Sequence, residues 1–157
     1  HGARRAERLR PHQPTIILTS EEPKAVETGQ AVAAKLHVPT RPMPGLHEHV
    51  RTHVPHMRTG EFISWVALFF QKPDQLVFGE ESASQALARF SAAIDGILAV
   101  EPEGNLAIVT HGTVLSIYVA AHTGQDPFGL WRRLQLPSFV VMQAPDMTVL
   151  ETVANLS

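Results

Sequence analysis

Apolar and polar positions along the 157-residue chain change their period several times, and each change marks a predicted element. In residues 2–10, Ala3, Ala6 and Leu9 recur at a spacing of three with arginines between them, which predicts a helix. Thr15-Ile-Ile-Leu-Thr19 is a short, almost wholly apolar, β-branched run, the sign of a strand buried on both faces. Ser20 follows as an expected N-cap, with Glu21, Glu22 and Pro23 in the first turn of a helix reaching about Leu36. Residues 37–57, rich in proline and histidine, read as loop with room for one short strand. Residues 61–71 put Phe62, Trp65, Val66, Phe69 and Phe70 on one side of a helix, as core or as a lid. A longer helix over 82–100 turns Leu87, Phe90, Ile94, Ile97 and Leu98 inward.

The strand pattern then returns. Asn105-Leu-Ala-Ile-Val-Thr110 is a second buried run, leading through His111-Gly112-Thr113 into a helix ending near His122. A short helix over 128–134 comes next, its Trp131-Arg132-Arg133 end expected at the surface. Strands over 139–143 and 148–153 should pair across a turn at Pro145-Asp146. Strands alternating with helices predict an α/β three-layer sandwich in one domain, its sheet mostly parallel with an antiparallel edge strand and helices on both faces.

Composition narrows the function classes. Hydrophobic residues at 44% and charged ones at 18% suit a folded globular chain rather than a disordered one. A formal net charge of -2 gives no reason to expect a general nucleic-acid binder. The absence of cysteine removes disulfides, thiolate zinc sites and cysteine nucleophiles together, and suits a cytoplasmic protein. No apolar run approaches the ~18 residues of a membrane span. Nine histidines, four of them between His47 and His56, are the feature most in need of explanation. A metal site is one reading of that cluster, but its spacing within a proline-containing loop is unlike a helical ligand pair, so none is expected.

Ligands of open parallel sheets sit beyond the carboxyl ends of the strands. This chain has two such strand-to-helix junctions, Thr19-Ser20 and Thr110-His111-Gly112, each offering backbone N–H groups to an anion. Lys24 in the first turn of a helix opposes the macrodipole, and makes more sense if an anion lies there. His111 leaves a buried strand directly before a glycine and should point into the same crevice.

These residues carry a family resemblance. Ser20-Glu-Glu-Pro-Lys24-Ala25-Val-Glu-Thr28 resembles a Ser-Pro-x-x-Arg-Ala-x-x-Thr-Ala signature, and Leu46-His47-Glu48 a Leu-x-Glu element. Gly79-Glu-Glu-Ser82, with Arg89 on the next helix, resembles a Gly-Glu-Ser segment, and residues 107–113 a second-histidine motif. In this order they are similar to the histidine phosphatases of the phosphoglycerate-mutase-like superfamily. The resemblance implies a metal-independent, cofactor-free phosphomonoester phosphatase with a phosphohistidine intermediate. It implies His111 as the second pocket histidine, Lys24 in place of an arginine, and Glu48 as general acid. Protonated Glu48 would place the activity optimum below neutral. Ser20, His49, Arg51, Gly112 and Thr113 are the further expected phosphate or substrate contacts, with His53 beside them on the rim. The expected partner is a small phosphorylated substrate or inorganic phosphate, neither nucleic acid nor membrane; a homodimer is compatible.

The same resemblance implies an Arg-His-Gly nucleophile at the end of a first strand. His1-Gly2 is not expected to be it, because Gly2-Ala-Arg-Arg5-Ala6 resembles the Gly-x-x-Gln-Ala helix that follows the nucleophile. The first strand and the nucleophile are therefore expected on a segment upstream of this chain. A non-catalytic phospho-ligand or protein-binding relative and a phosphoglycerate-type mutase are the alternatives, the compact length favouring a phosphatase.

Overall fold

In the computed structural model, which describes residues 2–101 and 103–154, the two predicted buried runs pair in parallel. They are β1 (Ile16–Thr19) and β3 (Leu106–Val109), and β2 (Thr40–Pro42), the short strand allowed for in the loop, pairs with the other edge of β1. The sheet order is thus β2-β1-β3. The expectation concerning His1 falls outside the described residues.

Alternation along these strands sorts side chains into two cores, because successive residues point to opposite faces. Ile17, Ala107 and Val109 pack on one face against Ala6 of α1 (Gly2–Leu9) and Val32 and Ala33 of α2 (Pro23–Leu36). Leu18, Leu106 and Ile108 pack on the other face in the larger core. That core holds Val66 and Phe69 of α3 (Thr59–Gln71), Phe90 and Ile94 of α4 (Ala83–Val100), and Val114 and Ile117 of α5 (Gly112–Thr123). Helices on both faces give the expected three layers. Gly29 of α2 marks the tightest approach: a Cβ there would stand 2.2 Å from Thr19 Cγ2.

Two expectations need correcting. The carboxyl-terminal strands β4 (Phe139–Gln143) and β5 (Thr148–Val153) form their own antiparallel hairpin and are not an edge of the parallel sheet. Among the described residues β3 pairs only with β1, and β4 only with β5. The hairpin packs through Val140, Met142 and Val149 against Val119 of α5 and Leu130 of α6 (Pro127–Arg133). His12 joins it to the parallel sheet, lying 3.1 Å from Glu151 while its carbonyl accepts from Asn105 just before β3. The second correction concerns Ser20, which does not cap α2. Pro23 takes the first helical position and holds Glu22 extended (φ -71°, ψ 137°) as the N-cap.

Candidate functional site

The register that sets Thr19 against Val109 brings the carboxyl ends of β1 and β3 together, and Ser20 N–H donates to the Val109 carbonyl at 2.9 Å. Just beyond, Ser20 and His111 meet. His111 is the extended N-cap of α5 (φ -128°, ψ 159°). Its Nε2 lies 2.7 Å from Ser20 Oγ and 2.7 Å from Glu22 Oε2. A carboxylate only accepts, so this contact requires the proton on Nε2, shared between the two oxygens. Ser20 is wholly buried, and its Oγ also accepts from the Glu22 N–H at 3.3 Å.

Glu22 is a site residue that sequence reasoning missed. It reads as an ordinary first-turn acid, yet its position directly before Pro23 aims it out of the helix and into the crevice. The same Oε2 that meets His111 accepts from the Glu48 N–H at 2.9 Å, tying the 46–48 loop to the histidine.

Glu48 itself lies at the N-terminus of α5. Its Oε1 accepts from the N–H groups of His49 (2.9 Å) and Val114 (3.1 Å), and its Oε2 from that of Thr113 (3.0 Å). Unpaired N–H groups and the helix dipole make such a terminus an anion site, and here the anion is a side chain of the protein. This corrects the expectation for the Gly112-Thr113 junction: the Thr113 N–H serves Glu48. The Thr113 hydroxyl is buried without a partner among the described residues.

Arg51 stands 3.7 Å from Glu48 Oε2 through Nη2, with its guanidinium 4.9 Å from the Phe62 ring centre. Its Nη1 is buried and has no partner among the described residues. Lys24 occupies the first turn of α2, exposed and outside the His111–Glu48 network.

The expectation for His49 is overturned. Its ring is 2% exposed, packed between Phe69 and Phe78 at centroid distances of 4.3 and 4.9 Å, with Nε2 donating to the Glu81 carbonyl at 2.9 Å. The chain alternates here: Glu48 and Val50 face one way, so His49 faces the core. Burial pushes its imidazole below the ordinary histidine range, the nearby Arg51 adding to the effect. Burial, then Arg89, does the same for His47. Gly79 makes room for this packing, since at φ +75° a Cβ would lie 2.5 Å from the Val50 carbonyl and 2.8 Å from the His49 ring.

Arg89 braces the loop from below. Its Nη1 donates to the carbonyls of Gly45 and His47, both at 2.8 Å, and its Nη2 to that of Glu48 at 3.3 Å. The same guanidinium grips Glu81 through Nη2 (2.6 Å) and Nε (3.2 Å). Glu81 Oε1 accepts in turn from the Val50 N–H at 3.1 Å. Burial works against ionisation of Glu81, yet the hydrogen bonds from Arg89 and Val50 hold its carboxyl below the usual range.

The remaining histidines of the cluster disperse. His53 pairs with Glu80 at 2.6 Å on the surface, and His56 lines a neighbouring cleft. Among the described residues no group of three histidine or acidic side chains is placed to hold a metal ion. No helix among them is long and apolar enough to cross a membrane. Trp131 is half-buried and faces Gly112 and Phe62, while Arg132 and Arg133 are exposed at the end of α6.

A family model, histidine phosphatase superfamily (branch 1), matches residues 2–146. No curated protein matches the chain. Among solved structures, YhfR of Bacillus stearothermophilus is similar at a TM-score of 0.68 and 21% identity, covering 97% of this chain and 79% of that one. The alpha-ribazole phosphatase of Shigella flexneri is similar at 0.69 and 18% identity, over 99% of this chain and 81% of that one. A mycobacterial glucosyl-3-phosphoglycerate phosphatase in complex with inorganic phosphate is similar at 0.61 and 20% identity, over 83% of this chain and 69% of that one. At these identities the likeness concerns the fold.

Proposed function

Because the chain belongs to the histidine phosphatase superfamily, branch 1, we propose that it forms the larger part of a phosphomonoester phosphatase working through a phosphohistidine. The nucleophilic histidine is carried by a segment preceding residue 1. The observation that carries the reading is the convergence of Ser20, His111, Glu48 and Arg51 at the carboxyl end of β1 and β3, the end where an open α/β sheet binds ligands. The complex of a similar fold with inorganic phosphate supports the choice of ligand.

Phosphoryl transfer asks the protein chiefly for in-line positioning and for donors on the equatorial oxygens. His111, once its Nε2–H turns from Ser20 and Glu22, and Arg51, through the guanidinium edge that stands beside Glu48, supply donors from two sides. Lys24 adds a positive charge at longer reach. It lacks the planar fork of an arginine, so it attracts the phosphate more than it orients it. Glu48 is the general acid. An arriving phosphoryl group competes with its carboxylate for the Thr113 and Val114 N–H groups; the displaced carboxylate takes up a proton from solvent and passes it to the leaving oxygen.

The test is steady-state hydrolysis of p-nitrophenyl phosphate by the full-length natural protein, beside its His111→Ala variant. Turnover by the wild type with a loss of about 10²-fold or more in the variant is expected, the scale of losing one transition-state donor. Absence of wild-type turnover, or a variant as fast as the wild type, refutes the reading.

A further inference from the structure

Beside the phosphoryl site the chain builds a second concavity whose chemistry differs from it. A hollow of 330 Å³ begins at Arg51 and Phe62 and shares residues 54–57 with a larger cleft of 440 Å³. Arg51 reaches Glu48 at one end and lines the hollow at the other, so the two concavities continue outward from the reacting centre. The larger volume falls within the ~300–1,000 Å³ of sites for small organic molecules.

The lining of the cleft selects by charge and by shape. Its ionisable residues are Glu61, Glu80, His53 and His56, and no lysine or arginine is among them. His53 is already matched by Glu80, which accepts both its Nδ1–H at 2.6 Å and its backbone N–H at 2.9 Å. A second phosphate or a carboxylate reaching into the cleft would therefore meet Glu61 and Glu80, the guanidinium of Arg51 standing back in the adjoining hollow. Like charges at such a place are a means of rejection. The apolar part of the wall is formed by half-buried Trp65 and Met57 with the buried Phe78 behind them, and Phe62 stands at the entrance of the hollow. Phe78 backs Trp65 at a ring-centre distance of 6.2 Å with the planes tilted by 33°, which holds the half-buried Trp65 indole in place as the face on which a ring can stack. The Met57 thioether is suited to cover an aromatic edge.

We infer that the cleft receives the alcohol portion of a phosphomonoester that carries a planar aromatic ring and no second anionic group. The inference rests on the phosphatase reading of the adjoining site and deepens it. Glu61 and Glu80 accept hydrogen bonds from hydroxyl or amine substituents of that ring system, and they exclude bisphosphates and phosphorylated acids.

The experiment compares kcat/KM of the full-length protein on 2-phenylethyl phosphate, propyl phosphate and 3-phosphoglycerate. All three release an alkyl alcohol, so differences report binding in the cleft. A preference of roughly tenfold or more for 2-phenylethyl phosphate over each of the others is expected, the scale a shaped apolar pocket delivers. Trp65→Ala should collapse the phenylethyl-to-propyl ratio toward one, mainly through KM. The double variant Glu61→Gln, Glu80→Gln should raise the relative use of 3-phosphoglycerate, and it keeps the inference testable if Trp65→Ala fails to fold. Turnover without discrimination, or with 3-phosphoglycerate preferred, overturns the inference and leaves the phosphatase reading standing. No turnover of any of the three by protein that hydrolyses p-nitrophenyl phosphate overturns the inference alone; no turnover of p-nitrophenyl phosphate either overturns the phosphatase reading, and the inference with it.

Discussion

Glu48 lies where an anion is wanted and where the protein has supplied its own. If the carboxylate competes with phosphate for the Thr113 and Val114 N–H groups, Glu48→Gln has two opposite effects. It removes the acid, so kcat should fall by about 10²-fold, a usual scale for general-acid loss. It also removes a competing charge, so inorganic phosphate should inhibit more tightly; weaker inhibition would remove Glu48 from the anion site. Arg89 belongs to the same residue-scale account as a brace, not a substrate contact. Arg89→Met strands three carbonyls and the Glu81 carboxylate, and should cost about 3 kcal/mol in urea unfolding. A loss within error would show the brace to be idle. His49 and His47 set a pH dependence. Their folded-state pKa values lie below the unfolded value, so the unfolded chain binds more protons between the two. The stability they confer is full above the unfolded value of 6.5 and is lost as pH falls through their lower folded values. Glu81, also depressed, adds a loss at more acid pH, below its ordinary 4.5. Urea midpoints should therefore drop from pH 7 to pH 5, and His49→Asn should flatten that slope. What the sequence could tell at this scale followed local geometry. His111 and Ser20 were legible because each ends a buried strand. His49 was misread because composition alone made the histidines a cluster, whereas alternation along residues 48–50 sends its ring to the core. Glu22 was missed because its role depends on a partner 89 positions away.

At the scale of elements, periodicity carried most of the fold. The runs 16–19 and 106–109 announced themselves by β-branched, unbroken apolar character, and the helices by spacing. The start of α4 is fixed by Ser82 and Gln85, which form a capping box with both reciprocal hydrogen bonds. The hairpin was legible in its strands and its turn but not in its placement, because pairing to a neighbouring sheet is a long-range choice. Gly29 gives a prediction here. Alanine is the better helix former, yet at this position its Cβ would meet Thr19 Cγ2 at 2.2 Å, where α2 crosses β1. Gly29→Ala should destabilise by about 1–3 kcal/mol, as overpacking does, and Thr19→Ser in the same chain should recover much of the loss. A stabilised Gly29→Ala protein would show that α2 does not pack so closely on the strand that carries Ser20.

For the whole molecule, the two separate sheets bear most directly on function. The Asn105 and Val109 carbonyls are used by β1, so alternation turns the backbone groups of Leu106 and Ile108 to the opposite edge of β3. That edge has no partner strand among the described residues, and neither does the outer edge of β4. Apolar strands with open edges are a liability that folded proteins cover. The proposed upstream segment would cover both while bringing its histidine to the carboxyl end of β3, beside His111. The family model and the similar folds establish the scaffold for this arrangement; the nucleophile is the proposal built on it. The most direct test is to trap the phosphoenzyme. Full-length protein quenched in alkali during turnover of p-nitrophenyl phosphate should carry acid-labile phosphate on a histidine, mapped by mass spectrometry to a peptide preceding residue 1. Turnover with no phosphohistidine, or with the phosphate on a residue of the present chain, would contradict the account.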